Sequence, residues 1–194
     1  MEKLILNSKN YTIDDELLIL RLEQAHFITD IEEKQRYEKH HNVGLDYINY
    51  HKGLYHKFIE PFLNKGLTLD FGCGPTKIYE RILDNIFSYD KYFFNDDTVL
   101  NNKFDNIILI EVIEHLKNPH ESLSQLVNLL NNGGRLFIST HFYQMDKLEN
   151  WWYLRDETHV CMYNLESFNK IMDKYQLKLV YTDKEKLIVL EKVI

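Results

Sequence analysis

The chain is poor in glycine, proline and cysteine: its 194 residues include seven glycines, three prolines and two cysteines. The two cysteines, Cys73 and Cys161, lack a Cys-x-x-Cys spacing, which excludes a zinc knuckle built on cysteine alone. A basic face is also missing, since 23 Lys and Arg residues are scattered among 30 Asp and Glu residues and the net charge is −7. This acidity disfavours nucleic acid as a partner and favours small molecules.

Long apolar runs are absent as well. No segment approaches the roughly 18 apolar residues that a membrane span requires, and the first 16 residues do not resemble a signal peptide. The sequence therefore predicts a cytoplasmic protein without a membrane span. Apolar and aromatic residues are plentiful, at 44% and 13% of the chain, which is the composition of a packed globular domain.

Residues 1–65 are predicted to form an N-terminal hairpin and helical lid. The hairpin is expected around "NSKN", whereas the apolar run 16–22 is ambiguous between strand and helix. A first helix is expected from Asp30, with Glu33 completing a capping box three residues later. A second helix is expected over about residues 45–60.

Residues 66–194 alternate between strand and helix patterns, and a helix is expected over "KIYERILD" at 77–84. The run "FDNIILIEV" at 104–112 is continuously apolar, as in a central parallel strand. Asn118 and Pro119 indicate the start of one helix, and Asn164 caps another. The last twenty residues form two alternating strands joined at "TDKE". We therefore expect an α/β fold with a Rossmann-like, doubly wound, mostly parallel seven-stranded sheet and an antiparallel strand from the C-terminal hairpin.

The stretch "LTLDFGCGPTK" at 67–77 indicates a cofactor site. It opens as a strand and ends in a turn containing Gly72 and Gly74, where the missing Cβ atoms let a ligand approach the backbone. Asp70 closes the strand, and Asp90 follows at the end of the next one, where a carboxylate can bind both ribose hydroxyls. Both NAD and S-adenosylmethionine fit these features.

Two residues favour S-adenosylmethionine over NAD. A dinucleotide fingerprint requires a third glycine for packing over the pyrophosphate, and this chain has Lys77 there. Asp70 would face that pyrophosphate, whereas the ammonium and sulfonium groups of S-adenosylmethionine suit a carboxylate. The residues therefore predict a cationic adenosyl cofactor.

Four segments carry a resemblance to a known family: "LDFGCGP", "YDKYF", "FDNIILIEVIEHLKNP" and "LLNNGGRLFIST". Their order and spacing resemble the class I S-adenosylmethionine-dependent methyltransferases over about residues 36–175. "RYEKHHN", which includes His40, and "WWYLRDETHVCMY" resemble a narrower group of uncharacterised bacterial methyltransferases. The resemblance implies that the cofactor-binding residues are Tyr37, Asp70, Gly72, Cys73, Gly74, Asp90, Lys91, Tyr92, Glu111 and Val112.

The chain departs from that family at three places. Pro75 and Thr76 replace the third glycine that many members carry, and the paired Cys-x-x-Cys motifs of the narrower group are missing. The segment 91–103 is short, so it leaves little room for a third strand and its helix.

The loop 141–164 is predicted to hold the methyl acceptor. His141, Trp151, Trp152 and Tyr153 are expected to form an apolar wall for an aromatic or lipid-like acceptor. His159 is the predicted general base, oriented by Asp156, which would raise its pKa. The alternative is that Asp156, Thr158 and His159 form a buried, hydrogen-bonded brace with the tryptophans as core.

Glu111, Glu114 and His115 resemble metal ligands, but position 111 belongs to the strand and "EH" recurs in the family without metal, so no metal is expected. Cys73 is predicted to be a small packing residue rather than a nucleophile. The function expected is in-line methyl transfer from S-adenosylmethionine to a small molecule, with S-adenosylhomocysteine as product. The alternatives are an adenosyl-ligand-binding protein without turnover and an NAD-dependent oxidoreductase.

Overall fold

A six-stranded sheet forms the centre of the protein, whose computed structural model describes residues 3–39 and 44–193. The strand order is β5-β4-β6-β7-β10-β9. The strands are β4 (Thr68–Phe71), β5 (Ile86–Tyr89), β6 (Phe104–Ile110), β7 (Leu130–Ser139), β9 (Leu177–Thr182) and β10 (Leu187–Lys192).

The centre of this sheet is buried on both faces, as expected for the doubly wound fold that the sequence predicts. Along β6, Ile107 and Leu109 belong to one apolar cluster, whereas Ile108 belongs to another on the opposite face. Strands β4 to β7 pair in parallel, and β10 lies antiparallel between β7 and β9. The antiparallel strand expected from the C-terminal hairpin is therefore confirmed.

The sheet has six strands rather than the seven expected. After β5 the chain forms a single antiparallel bridge between Asp90 and Phe94 and a short 3-10 turn over Asp97–Asn101 before β6 begins. A parallel crossover alone needs a dozen or more residues, so the segment 91–103 cannot supply a helix and a further strand. Strand β5 is consequently an edge strand.

A second, four-stranded sheet joins the N-terminal region to the segment that follows β7. It contains β1 (Lys3–Leu6), β2 (Lys9–Ile13), β3 (Leu20–Leu22) and β8 (Cys161–Met162) in the order β1-β2-β3-β8. The predicted N-terminal hairpin is thus present, and the ambiguous run 16–22 contains a strand. Because β3 pairs with β8, the N-terminal region is attached to the loop that follows β7.

The described residues also form four α-helices: α1 (Asp30–Lys39), α2 (Leu45–Leu54), α3 (Pro119–Leu129) and α4 (Leu165–Tyr175). Helix α4 begins with the expected cap, in which the Asn164 side chain accepts a hydrogen bond from the Ser167 amide. In the described ranges, no helix is long and apolar enough to cross a membrane.

Two helix expectations are wrong in detail. The capping box of α1 is formed by Thr29 and Glu32, not by Asp30 and Glu33: the Thr29 amide donates to Glu32 Oε2 over 2.8 Å. Asp30 and Glu33 bind Lys117 instead. The run "KIYERILD" forms only a 3-10 turn over Ile78–Arg81, because Lys77 adopts a left-handed conformation with φ +46° immediately before it.

Candidate active site

The turn after β4 requires glycine for two independent reasons. Gly72 has φ +80°, a region that other residues rarely adopt. A Cβ atom at Gly72 would lie 2.5 Å from Cγ2 of Val112, which follows β6. The carboxyl ends of β4 and β6 therefore meet at this turn, where open α/β sheets bind ligands.

Asp70 is a buried carboxyl group with an unsatisfied oxygen. It lies in β4 with 4% of its surface exposed, and its Oδ2 has no hydrogen-bond partner within the described residues. Burial raises the pKa of Asp70 to about 8, with further contributions from the negative charges of Asp90 and Glu80. A cation placed against this group would satisfy the oxygen and stabilise the carboxylate. The residues present thus fit the cationic cofactor that the sequence predicts.

Asp90 connects the glycine turn to the loop after β5. Its Oδ2 accepts a hydrogen bond from the Gly74 amide over 2.9 Å, and its Oδ1 accepts from the Tyr92 and Phe93 amides over 2.8 and 3.1 Å. These bonds hold the carboxylate beside the turn. Its expected contact with a ribose stays a prediction.

Helix α1 contacts residues that follow β5 and a residue that follows β6. The Tyr37 ring lies between those of Tyr92 and His115, with centroids 5.9 and 5.7 Å away. Lys91 is exposed and forms an ion pair with Asp30 over 3.0 Å. Tyr37 therefore packs against the loops that follow β5 and β6, and its expected role in closing the pocket stays a prediction. Lys91 contacts α1 rather than the glycine turn.

Two carboxyl groups converge on one tyrosine at the carboxyl end of β6. The Tyr153 hydroxyl lies 2.5 Å from Glu114 Oε1 and 3.2 Å from Glu111 Oε2, while Ser139 Oγ donates to Glu111 Oε1 over 2.7 Å. Glu114 is completely buried, which raises its pKa well above the usual value, and the charge of Glu111 adds to this shift. Sequence reasoning missed the role of Tyr153 as their common partner.

The expected orientation of His159 by Asp156 is wrong. His159 Nδ1 lies 2.8 Å from the Tyr153 carbonyl oxygen, while Asp156 accepts hydrogen bonds from Thr158 and forms a 2.9 Å ion pair with Arg36 of α1. Burial, followed by the charge of His115, lowers the pKa of His159 to about 4. The expected rise in pKa is therefore wrong as well. The hydrogen bonds between Thr158 and Asp156 match the alternative of a brace, but its expectation that the tryptophans are core is wrong for Trp152, which is 56% exposed.

The predicted acceptor wall is assembled around Tyr153. The rings of Trp151, Trp152 and His141 have centroids 5.0, 5.3 and 5.1 Å from that of Tyr153. Trp152 is 56% exposed, whereas Tyr153 is buried. An apolar surface thus lies next to the paired carboxyl groups, and its contact with an acceptor stays a prediction.

A metal-binding arrangement appears where none was expected. Ligand atoms of Glu114, His115 and His159 all lie within 4.8 Å of one another. The sequence draws attention to Glu111, Glu114 and His115, but His159 replaces Glu111 in this group. His115 and His159 are 44 positions apart along the chain, so a search for local motifs does not detect their contact.

Two further residues named by the sequence analysis are Cys73 and His40. Cys73 is a buried free thiol whose pKa is raised by burial and by the charge of Asp70, which agrees with a packing role. His40 lies outside the described residues.

A family model and two curated relatives link this chain to methyltransferases. A family model described as a methyltransferase domain matches residues 46–182. The chain is 28% identical over 127 residues to the tRNA U34 carboxymethyltransferase of Campylobacter hominis, covering 65% of this chain and 33% of that protein. It is 53% identical over 38 residues to the ubiquinone biosynthesis O-methyltransferase of Glaesserella parasuis, covering 20% and 16%. The chain thus spans a third or less of these curated relatives.

Solved structures show the same fold at low identity. The putative methyltransferase complexed with the Haloferax volcanii Trm112 activator has a TM-score of 0.61 at 14% identity, covering 86% of this chain and 100% of that chain. The plantazolicin methyltransferase BpumL, solved with SAH, has a TM-score of 0.54 at 15% identity, covering 88% and 93%. The family match over most of the chain, together with this Rossmann-like fold, establishes that the chain belongs to the methyltransferase domain family.

Proposed function

We propose that the chain is an S-adenosylmethionine-dependent methyltransferase that acts on a small-molecule acceptor. The observation that carries this proposal is Asp70: a buried carboxyl group with an unsatisfied oxygen, at the end of β4 and beside a turn whose backbone conformation and close approach to Val112 favour glycine. When bound, S-adenosylmethionine supplies a methyl group already activated by a positively charged sulfur.

The residues of this chain have two tasks in such a reaction. Asp70 and the Gly72 turn bind the cationic part of the cofactor, and Asp90 holds the turn in place through the Gly74 amide. The acceptor loop then has to present the nucleophile in line with the methyl group. Since the methyl group is activated by its own sulfonium, positioning is the main contribution of the protein.

The acceptor surface supports a small molecule rather than a nucleic acid. Trp151, Trp152 and Tyr153 provide aromatic rings beside the two carboxyl groups, which suits a compact apolar molecule. The net charge of −7 opposes binding to a phosphate backbone. The Campylobacter relative is named for tRNA, so tRNA is the acceptor to test against this proposal.

Calorimetric titration separates the proposal from its alternatives. The expected result is micromolar binding of S-adenosylmethionine and S-adenosylhomocysteine that is weakened in Asp70→Asn, lost in Asp90→Ala and absent for NAD. Binding of NAD alone would favour an oxidoreductase. A protein that binds both adenosyl ligands but methylates neither small molecules nor tRNA would be a binding protein without turnover.

A further inference from the structure

The Glu114–His115–His159 cluster brings two imidazoles and a carboxyl group together on the acceptor side of the site. His115 Nε2 lies 3.9 Å from Glu114 Oε1, and the rings of His115 and His159 have centroids 4.9 Å apart. Two histidines and one glutamate form a frequent catalytic zinc ligand set, in which a fourth position stays open for water or substrate.

Both histidines are oriented by backbone carbonyl groups. His115 Nδ1 lies 3.0 Å from the Thr158 carbonyl oxygen, and His159 Nδ1 lies 2.8 Å from that of Tyr153. A carbonyl oxygen can only accept, so each Nδ1 carries the hydrogen and each Nε2 carries the lone pair. This arrangement of a ligating nitrogen and a backbone-bonded nitrogen is the usual one for metal-binding histidines.

Glu114 provides a second, independent indication. It has no exposed surface, and its Oε2 has no hydrogen-bond partner among the described residues. A buried carboxyl oxygen without a partner is costly, and coordination of a cation satisfies it. Among the described residues, Glu114 Oε1 accepts a hydrogen bond from the Tyr153 hydroxyl and lies 3.9 Å from His115 Nε2.

The separation of the ligand atoms is compatible with zinc after a modest adjustment. Zinc bonds of about 2.0–2.1 Å place tetrahedral ligand atoms about 3.3 Å apart, whereas these atoms lie within 4.8 Å of one another. A displacement of about 1.5 Å therefore closes the set, which is within reach of side-chain torsions in Glu114 and His115.

We propose that Glu114, His115 and His159 bind a divalent zinc-type cation whose open position takes an oxygen atom of the methyl acceptor. The location supports this role, because Tyr153 contacts Glu114 directly and also supports the aromatic wall. One carboxylate and two neutral imidazoles bound to a divalent cation give a complex with a net charge of +1, which attracts an oxygen ligand. The role toward the acceptor rests on the proposed methyltransferase function.

Metal binding is measured directly on chelator-treated full-length protein. Calorimetric titration with Zn²⁺ is expected to give about one equivalent, and Co²⁺ is expected to give the visible absorption of a four- or five-coordinate ion. His159→Gln and Glu114→Gln should each weaken Zn²⁺ binding by at least about 100-fold, since loss of a supporting partner alone costs 10–100-fold. His56→Gln, at an exposed histidine paired with Glu60, should change nothing.

S-adenosylhomocysteine binding serves as the control for folding and for the proposed function. A variant that retains this binding but loses Zn²⁺ supports the metal site. The metal proposal is refuted if the wild type binds no Zn²⁺, or if both cluster variants keep wild-type affinity. If S-adenosylhomocysteine still binds in that case, the methyltransferase proposal stands without a metal.

Discussion

Cofactor binding should be coupled to the release of a proton from Asp70. Burial raises the pKa of this group to about 8 in the cofactor-free protein, so at pH 7 it is about nine-tenths protonated. The sulfonium of S-adenosylmethionine is permanently positive and favours the carboxylate. Binding at pH 7 should therefore release about 0.9 proton.

The same coupling sets the pH dependence of the affinity. The deprotonated fraction of a group with a pKa of about 8 rises from about 0.01 at pH 6.0 to about 0.24 at pH 7.5. If Asp70 must be charged to bind, the affinity for S-adenosylmethionine rises about 25-fold over this interval, equivalent to about 1.9 kcal/mol. Asp70→Asn cannot ionise, so it should bind weakly and with little pH dependence.

Calorimetry in two buffers of different ionisation enthalpy measures the released proton directly, and titrations at several pH values give the slope. A wild-type affinity that changes less than about threefold between pH 6.0 and 7.5 would refute the reasoning. Stability provides a control of known sign. Between about pH 4 and pH 8, Asp70 keeps its proton in the folded protein but loses it in the unfolded chain. The free energy of unfolding of the cofactor-free wild type should therefore fall relative to that of Asp70→Asn as the pH rises through this range.

Three further outcomes follow from the site. Gly72→Ala should abolish cofactor binding and lower the free energy of unfolding by about 1–3 kcal/mol, since its Cβ meets Val112. The control Gly53→Ala lies within helix α2 with open space around it and should raise the free energy of unfolding by about 0.5–1 kcal/mol. His159 should stay neutral above pH 5.5, so an NMR titration showing its ring charging near pH 6.5 would contradict the buried position. Tyr153→Phe should lower the free energy of unfolding by about 1–3 kcal/mol, because it removes the hydrogen bond to the buried Glu114 Oε1. An unchanged midpoint of chemical denaturation would disprove that contact.

The cofactor side was predictable because its signals are local. Asp70, Gly72 and Gly74 lie within five consecutive positions, and a strand followed by a glycine turn has few alternative geometries. The shortness of 91–103 was also visible in the sequence, although the expected strand count did not take it into account.

The acceptor side was less predictable because its contacts cross the fold. The ion pair between Arg36 and Asp156 joins residues 120 positions apart, so a motif search pairs Asp156 with its neighbour His159 instead. The sign of the His159 pKa shift depends on burial, which follows from how the whole loop packs rather than from adjacent residues. Tyr153 likewise meets Glu111 and Glu114 only after folding.

Transfer of a labelled methyl group tests the central claim most directly. The protein is incubated at pH 7.5 with methyl-labelled S-adenosylmethionine and, separately, with a low-molecular-mass metabolite fraction and with total tRNA. We predict label in a small molecule, equal amounts of S-adenosylhomocysteine, and no label with Gly72→Ala. Label confined to tRNA would contradict the proposed acceptor class, and absence of transfer by a protein that binds both adenosyl ligands would contradict the proposed enzyme activity.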